Sequence, residues 1–244
     1  MCKSNTSAPG EATPNHVTTE QRPISTVDVV IFTVWQERLC VLLTRRAQPP
    51  FARRWALPGG FVHVGQDADL LACAQRILRG KTGVQSPYLE QLGSWGSATR
   101  DPRGWSATHV YFALIPPPDQ PLAPDAQWVE AGAALTGAGP LAFDHADILA
   151  TALARLRAKV EYTSLPAYLL PQPFTLPQLQ RMYEVVLGRA VDKSGFRTRM
   201  LAADFLQEAG QEAAAAAGRP AMRYRLRENA RPAYFPRTFA PRAR

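Results

Sequence analysis

At 244 residues the chain exceeds the common size of one domain, and its 46% hydrophobic and 9% aromatic content supports a buried core and excludes bulk disorder. The net charge of +8 is unevenly placed: residues 1–162 carry 15 Lys or Arg against 14 Asp or Glu, and residues 163–244 carry 13 against 6. Two domains are therefore expected, the second with the electrostatic footprint of a nucleic-acid-binding module.

Residues 1–23 are rich in Ser, Thr, Asn and Pro and lack the apolar stretch of a secretory signal, so they read as a disordered leader. No run of 18 apolar residues occurs, which predicts no membrane partner and a cytoplasmic location. Cys2, Cys40 and Cys73 are too scattered for a disulfide framework or a zinc site. Residues 27–35 and 39–44, β-branched and aromatic, form two strands in hairpin order around Gln36 and Glu37. Arg45 and Arg46 then lead into a loop at Pro49 and Pro50, either as a solvated strand end or facing a phosphate. After the short apolar run 55–57, Pro58, Gly59 and Gly60 turn the chain where side chains would obstruct a ligand. Asp69 caps a helix that sets Leu70, Ala74, Ile77 and Lys81 on one side and Leu71 and Leu78 on the adjacent one, and Gly83 ends it.

Strands at 89–95 and 108–115 flank a turn at 100–105. A proline-rich connector, a strand at 127–129 and a Gly/Ala-rich loop at 131–140 follow. The helix 144–159 has acids in its first turn and bases in its last, matching its dipole. Residues 24–161 thus form an α/β unit. In 162–229, a short helix at 165–170 precedes a helix at 176–187 capped by Thr175 and ended by Gly188. Asp192 caps a third helix, 193–206, with Phe196, Met200, Ala203 and Leu206 inward. With a strand at 222–227 this gives a helix-turn-helix plus wing, and residues 230–244 form a basic tail.

Pro58, Gly59, Gly60, Phe61 and Val62, with Arg76, Lys81, Thr82, Gly83 and Val84, resemble the Nudix signature, whose helix glutamates hold magnesium against a diphosphate. Aligned backward from Gly83, Arg76 keeps the arginine, but Ile77, Gly80 and Lys81 stand at the glutamate positions, which share one helical face. Gln66 or Ala68 stands where the loop glutamate belongs, and the spacing from Gly60 to Arg76 is two residues longer than in the common motif. Magnesium demands oxygen ligands, so neither catalytic nor metal-ligating residues are expected, unless Asp67 and Asp69 hold a displaced ion. Arg76 and Lys81 suit a diphosphate directly, with Arg103 and the Trp105 ring from the neighbouring loop. The competing reading pairs Arg76 with a nearby acid and leaves Lys81 solvated. His63 and His109 lack partners at metal-ligand spacing.

From about residue 27 to 227 the chain is similar to the NrtR family of Nudix-related transcriptional regulators. The segments 141–146, 174–180 and 218–224 carry the likeness beyond the Nudix box. The resemblance implies a Nudix-like α/β/α sandwich with a mixed sheet, followed by a winged helix-turn-helix domain. It implies a ligand-responsive repressor of NAD or related cofactor metabolism genes, acting as a homodimer on double-stranded operator DNA. Its effector would be ADP-ribose or a similar nucleoside diphosphate, held by Arg45, Arg46, Gly59, Gly60, Phe61, Arg76, Lys81 and Arg103. Lys193, Ser194, Arg197, Thr198 and Arg199 would meet DNA from the second helix, Arg189 from the turn, and Arg219, Arg223, Arg225 and Arg227 from the wing. No cofactor is required. Magnesium enters only under the alternative, a Nudix pyrophosphohydrolase with a displaced metal site; a nucleotide-binding adaptor without DNA is the third reading.

Overall fold

The computed structural model describes residues 22–84, 88–137, 139–211, 221–228 and 231–239. The expected leader therefore lies outside the described residues, apart from its last two positions. Strand β1 (Ile24–Trp35) is the centre of the molecule. It pairs antiparallel with β2 (Arg38–Arg45) and parallel with β6 (Ser106–Leu114). Beyond these lie β3 (Trp55–Ala56) and β7 (Ala126–Glu130) on β2, β4 (Gly59–Phe61) on β1, and β5 (Tyr88–Ser97) on β6, giving a mixed seven-stranded sheet.

The largely apolar run of β1, broken by Asp28 and Thr33, follows from burial on both faces, because alternate side chains point to opposite sides of a sheet. Val27, Val29 and Ile31 pack in one core with Cys73, Ala74, Ile77 and Leu78 of helix α1 (Leu70–Thr82). Val30, Phe32 and Val34 pack in the other with Ile148, Leu149 and Leu156 of α3 (His145–Val160). The caps of α1 are local and complete: the Asp69 carboxylate accepts the Ala72 N–H at 2.7 Å, and Gly83, at φ 70°, donates its N–H to the Arg79 carbonyl at 2.8 Å. Leu71, grouped by spacing with Leu78, faces solvent instead.

Two expectations change. The loop expected at 131–140 contains a helix, α2 (Ala131–Thr136), whose Ala131 seals the α3-side core; its alanines favour that conformation over an open loop. The second reading helix, expected over 193–206, ends earlier, as α5 (Lys193–Ala202). Asp204 adopts φ 49° and leaves the helical path, Phe205 turns into the core, and Leu206 opens a strand.

A buried 3-10 helix (Leu165–Leu169) leads through β8 (Phe174–Thr175) to α4 (Leu176–Leu187). A reciprocal Thr175–Gln178 capping box starts α4, with Pro177 in its first turn, and Gly188 closes it at φ 69°. The wing consists of β9 (Leu206–Gln211) and β10 (Met222–Leu226), with β10 between β8 and β9.

No linker separates the two units. The α3-side core continues through Leu165, Tyr168, Tyr183 and Phe196 to Tyr224, and the Tyr183 hydroxyl donates to the Thr163 carbonyl at 2.8 Å. Residues 231–239, in the expected basic tail, pack back across this junction. Phe235 N–H donates to the Tyr162 carbonyl at 2.8 Å and Phe239 N–H to the Glu161 carbonyl at 3.0 Å. The Phe239 ring meets Tyr183 edge-on at 5.0 Å and lies 6.0 Å from Phe196. Apolar rings, which gain from burial, override the basic composition of this segment. Among the described residues no helix is long and apolar enough to cross a membrane.

Candidate functional site

A cavity of about 400 Å³ opens where the end of β2, strand β4, the last turn of α1, the 100–103 loop and the start of α3 converge. Its size suits a small ligand. Arg45, Arg46, Gly59, Gly60, Phe61, Lys81 and Arg103 all line it. Arg46 is fixed by an Nε–H bond to the Pro50 carbonyl at 2.7 Å and by its guanidinium lying 4.7 Å from the centre of the Phe143 ring. Burial and the neighbouring Arg103 push its pKa below the ordinary arginine value, yet an arginine stays charged in proteins. Arg45 donates to the Arg53 carbonyl at 3.1 Å.

Charge pairing divides the lining. Arg100 binds Asp144 through two 2.8 Å bonds, and Arg103 binds Asp101, the shortest contact being 2.7 Å. Arg45, Arg46 and Lys81 have no ion-pair partner among the described residues. Three cations without an ion pair, beside an aromatic ring, suit an anion carrying a planar group, although Asp28, Asp101 and Asp125 line the same cavity.

Gly59 and Gly60 do not form a turn. They lie in β4, with Gly59 opposite Asp28 of β1. A Cβ on Gly59 would stand 1.8 Å from Asp28 Oδ1, whereas one on Gly60 would meet open space. The glycine at 59 thus makes room for a carboxylate of the protein itself. That carboxylate, 6% exposed, accepts the Thr108 hydroxyl at 2.7 Å. His145 Nε2 is 3.7 Å from Asp28 Oδ2, and His145 Nδ1 accepts the Leu57 N–H at 2.9 Å. Burial lowers the His145 pKa, opposed chiefly by Asp28, so the ring is neutral with its proton on Nε2. Neither residue was singled out by sequence reasoning. A charged side chain between Val27 and Val29, in a strand buried on both faces, was the available signal for Asp28.

Arg76 lies outside the cavity, which corrects the ligand-binding reading, and pairs with a nearby acid as the competing reading had it. Its Nε and Nη2 each donate to Asp67 at 2.7 Å, and Nη2 also reaches the Phe61 carbonyl at 3.1 Å. These bonds hold the Asp67 carboxyl well below the usual carboxylate range and engage both of its oxygens. Trp105 is also outside, packed toward Gly96. His63 and His109 are bonded locally, to Gln66 at 3.1 Å and Ser94 at 2.9 Å. With buried Ile77, Gly80 and the Lys81 ammonium on the helix face, and no cluster of three candidate ligands among the described residues, the donor set does not fit a resident magnesium.

At the far end of the molecule, Lys193, Ser194, Arg197 and Thr198 are exposed on α5, whose Asp192 cap accepts the Gly195 N–H at 2.6 Å. Two arginines expected beside them turn inward. Arg199 lies 4.0 Å from the Phe239 ring centre and donates to the Thr238 carbonyl at 3.3 Å. Arg189 pairs with Glu161 at 2.6 Å and donates to the Phe239 carbonyl at 3.1 Å. On the wing, Arg225 is exposed, Arg223 donates to the Pro173 carbonyl at 2.9 Å, and Arg227 pairs with Asp204 at 2.6 Å. A register shift between Met222 and Tyr224 interrupts the pairing of β10 with β9 at Arg223. Arg219 lies outside the described residues.

Residues 24–152 match the NUDIX domain family, and residues 166–226 match the NrtR DNA-binding winged helix domain. The chain is 48% identical over 208 residues to the "ADPR responsive transcriptional repressor NtrR" of Acinetobacter baylyi, covering 84% of this chain and 82% of that protein. The chain belongs to the NrtR family of Nudix-related regulators. Within that family, the crystal structure of Shewanella oneidensis NrtR with a 27mer DNA superposes with a TM-score of 0.78 at 38% identity, covering 87% of this chain and 98% of that one. The NUDIX domain of the same NrtR, crystallised with ADP ribose, covers 57% of this chain and 92% of its own, with a TM-score of 0.51 at 38% identity.

Proposed function

We propose that this chain is an ADP-ribose-responsive transcriptional repressor of NAD or related cofactor metabolism genes, active in the cytoplasm as a homodimer on double-stranded DNA. The observation that carries the sensor half is the convergence of Arg45, Arg46 and Lys81 on one cavity without ion-pair partners among the described residues. A diphosphate supplies the missing charge, and Phe143 offers a ring for a base. The relative named as ADPR responsive and the NrtR domain crystallised with ADP ribose support that ligand. The reader half rests on the exposed N-terminal face of α5, since a helix-turn-helix presents that part of its second helix to the major groove.

The ligand regulates only if it binds the DNA-competent and DNA-incompetent states with different affinity. The continuous core between pocket and α5 supplies the physical connection, and release from DNA is the response expected of a repressor of this kind. The test is fluorescence anisotropy on operators selected from genomic DNA, with and without ADP-ribose. Selected sites should be twofold symmetric, and ADP-ribose should release them. With six to ten phosphate contacts, affinity should fall by about three to five decades between about 50 and 200 mM salt. A flat salt response, or binding indifferent to ADP-ribose, overturns the reading; steady ADP-ribose turnover favours the pyrophosphohydrolase alternative over it.

A further inference from the structure

Asp28 is out of place in a receptor for anions. Its carboxylate lines the same cavity as Arg45, Arg46 and Lys81 and would repel a phosphate brought near it. It is nevertheless built in: Gly59 is cleared for it, and Thr108 donates to it. Beside it, His145 Nε2 carries the ring proton because Nδ1 is occupied by the Leu57 N–H. At 3.7 Å the Asp28 oxygen is too far to accept that proton in a normal hydrogen bond, and no other acceptor for it occurs among the described residues.

The cavity therefore presents an acceptor and a donor side by side at a buried point. A phosphate oxygen can only accept there, and Asp28 opposes it. A hydroxyl both donates and accepts, so one hydroxyl can give its proton to Asp28 and take the His145 Nε2–H. We propose that Asp28 and His145 bind a sugar hydroxyl of the nucleotide effector, an assignment that rests on the effector reading above. The diphosphate is then steered to Arg45, Arg46 and Lys81, and the molecule enters in one orientation. Gly59 acts as a positioning residue, because any side chain there displaces Asp28. A site built to hydrogen-bond a hydroxyl rejects ligands without one far more strongly than an apolar pocket does.

The experiment is calorimetric titration of the full-length chain with ADP-ribose and, separately, with inorganic pyrophosphate, which carries the anion but no sugar. Wild type is compared with Asp28→Asn and with His145→Asn, which keeps an acceptor for the Leu57 N–H while removing the Nε2 proton. Each variant should lose about ten- to a hundredfold in ADP-ribose affinity. Pyrophosphate affinity should be unchanged in His145→Asn and unchanged or higher in Asp28→Asn, where repulsion is relieved. Undiminished ADP-ribose binding by the variants, or equal losses toward both ligands, overturns the assignment while leaving the effector reading intact. Wild type that fails to bind ADP-ribose overturns both. Pyrophosphate binding doubles as the check of folding, and should Asp28→Asn not fold, His145→Asn alone decides.

Discussion

Helices α1 and α5 both carry cations, and each splits them in the same way for a different end. On α1, Arg76 folds back onto Asp67 while Lys81 reaches the cavity. On α5, Arg199 folds back onto Phe239 while Lys193 and Arg197 face solvent. Net charge counts these residues alike. Helical spacing sorts them by face, but only the partner each one finds decides whether its charge is spent inside the protein or offered to something outside it.

The sharpest way to break this comparison is to disturb the aromatic cluster to which the ring under the inward arginine belongs. Phe196→Ala deletes a buried ring of the shared aromatic cluster and should cost about 3–5 kcal/mol. Because one core spans both units, calorimetry of the wild type should show a single unfolding transition. Two well-separated transitions would refute that continuity. Next in size, Arg199→Ala should lower stability by about 1–2 kcal/mol through lost ring and stem contacts. Arg197→Ala, by contrast, should leave melting unchanged, reduce operator affinity about tenfold and lower the salt slope by about one. If the two variants behave alike, the division of α5 into inner and outer cations is wrong. On α1, Lys81→Glu should weaken ADP-ribose binding at least about tenfold by placing a carboxylate against the diphosphate, whereas Arg76→Gln should lower the melting temperature with ligand affinity kept.

The smallest effects concern pH. Asp67 has a depressed folded pKa because Arg76 donates to it. Its stabilisation is full above the unfolded value of about 4 and is lost as pH falls through the folded value. Asp67→Asn should therefore flatten the acid limb of melting temperature against pH. His145 also has a lowered folded pKa, here through burial. Below about pH 6.5 the unfolded chain takes a proton that the folded chain refuses, so stability falls as pH drops. His145→Asn should remove that slope between about pH 7 and 5.

The parts legible in the sequence were those set within a few residues. Asp69, Gly83, Thr175, Gly188 and Asp192 each cap or close a helix as read, because a cap needs only a side chain or a permissive backbone beside the first or last turn. What spacing could not supply was contact across the fold. Spacing could not choose between Arg76 facing a ligand and Arg76 pairing with an acid such as Asp67, and Asp28 meets His145 only once β1 and α3 pack together. The segment 231–239 reads as basic by composition, yet its rings found a cluster made by α4 and α5. The end of α5 was misjudged because Phe205 and Leu206 continue a helical spacing while the backbone at Asp204 has already left it.

The strap at 231–239 also sets an order of events during synthesis. Every residue lining the effector cavity precedes α4 in the chain, so the sheet, α1 and α3 emerge from the ribosome before the reading helix exists. The rings that seat Arg199, Phe235 and Phe239, the latter also meeting Tyr183, are translated after α5 and after the wing. The residues that line the cavity are thus synthesised before the segment that packs across the junction and braces α5.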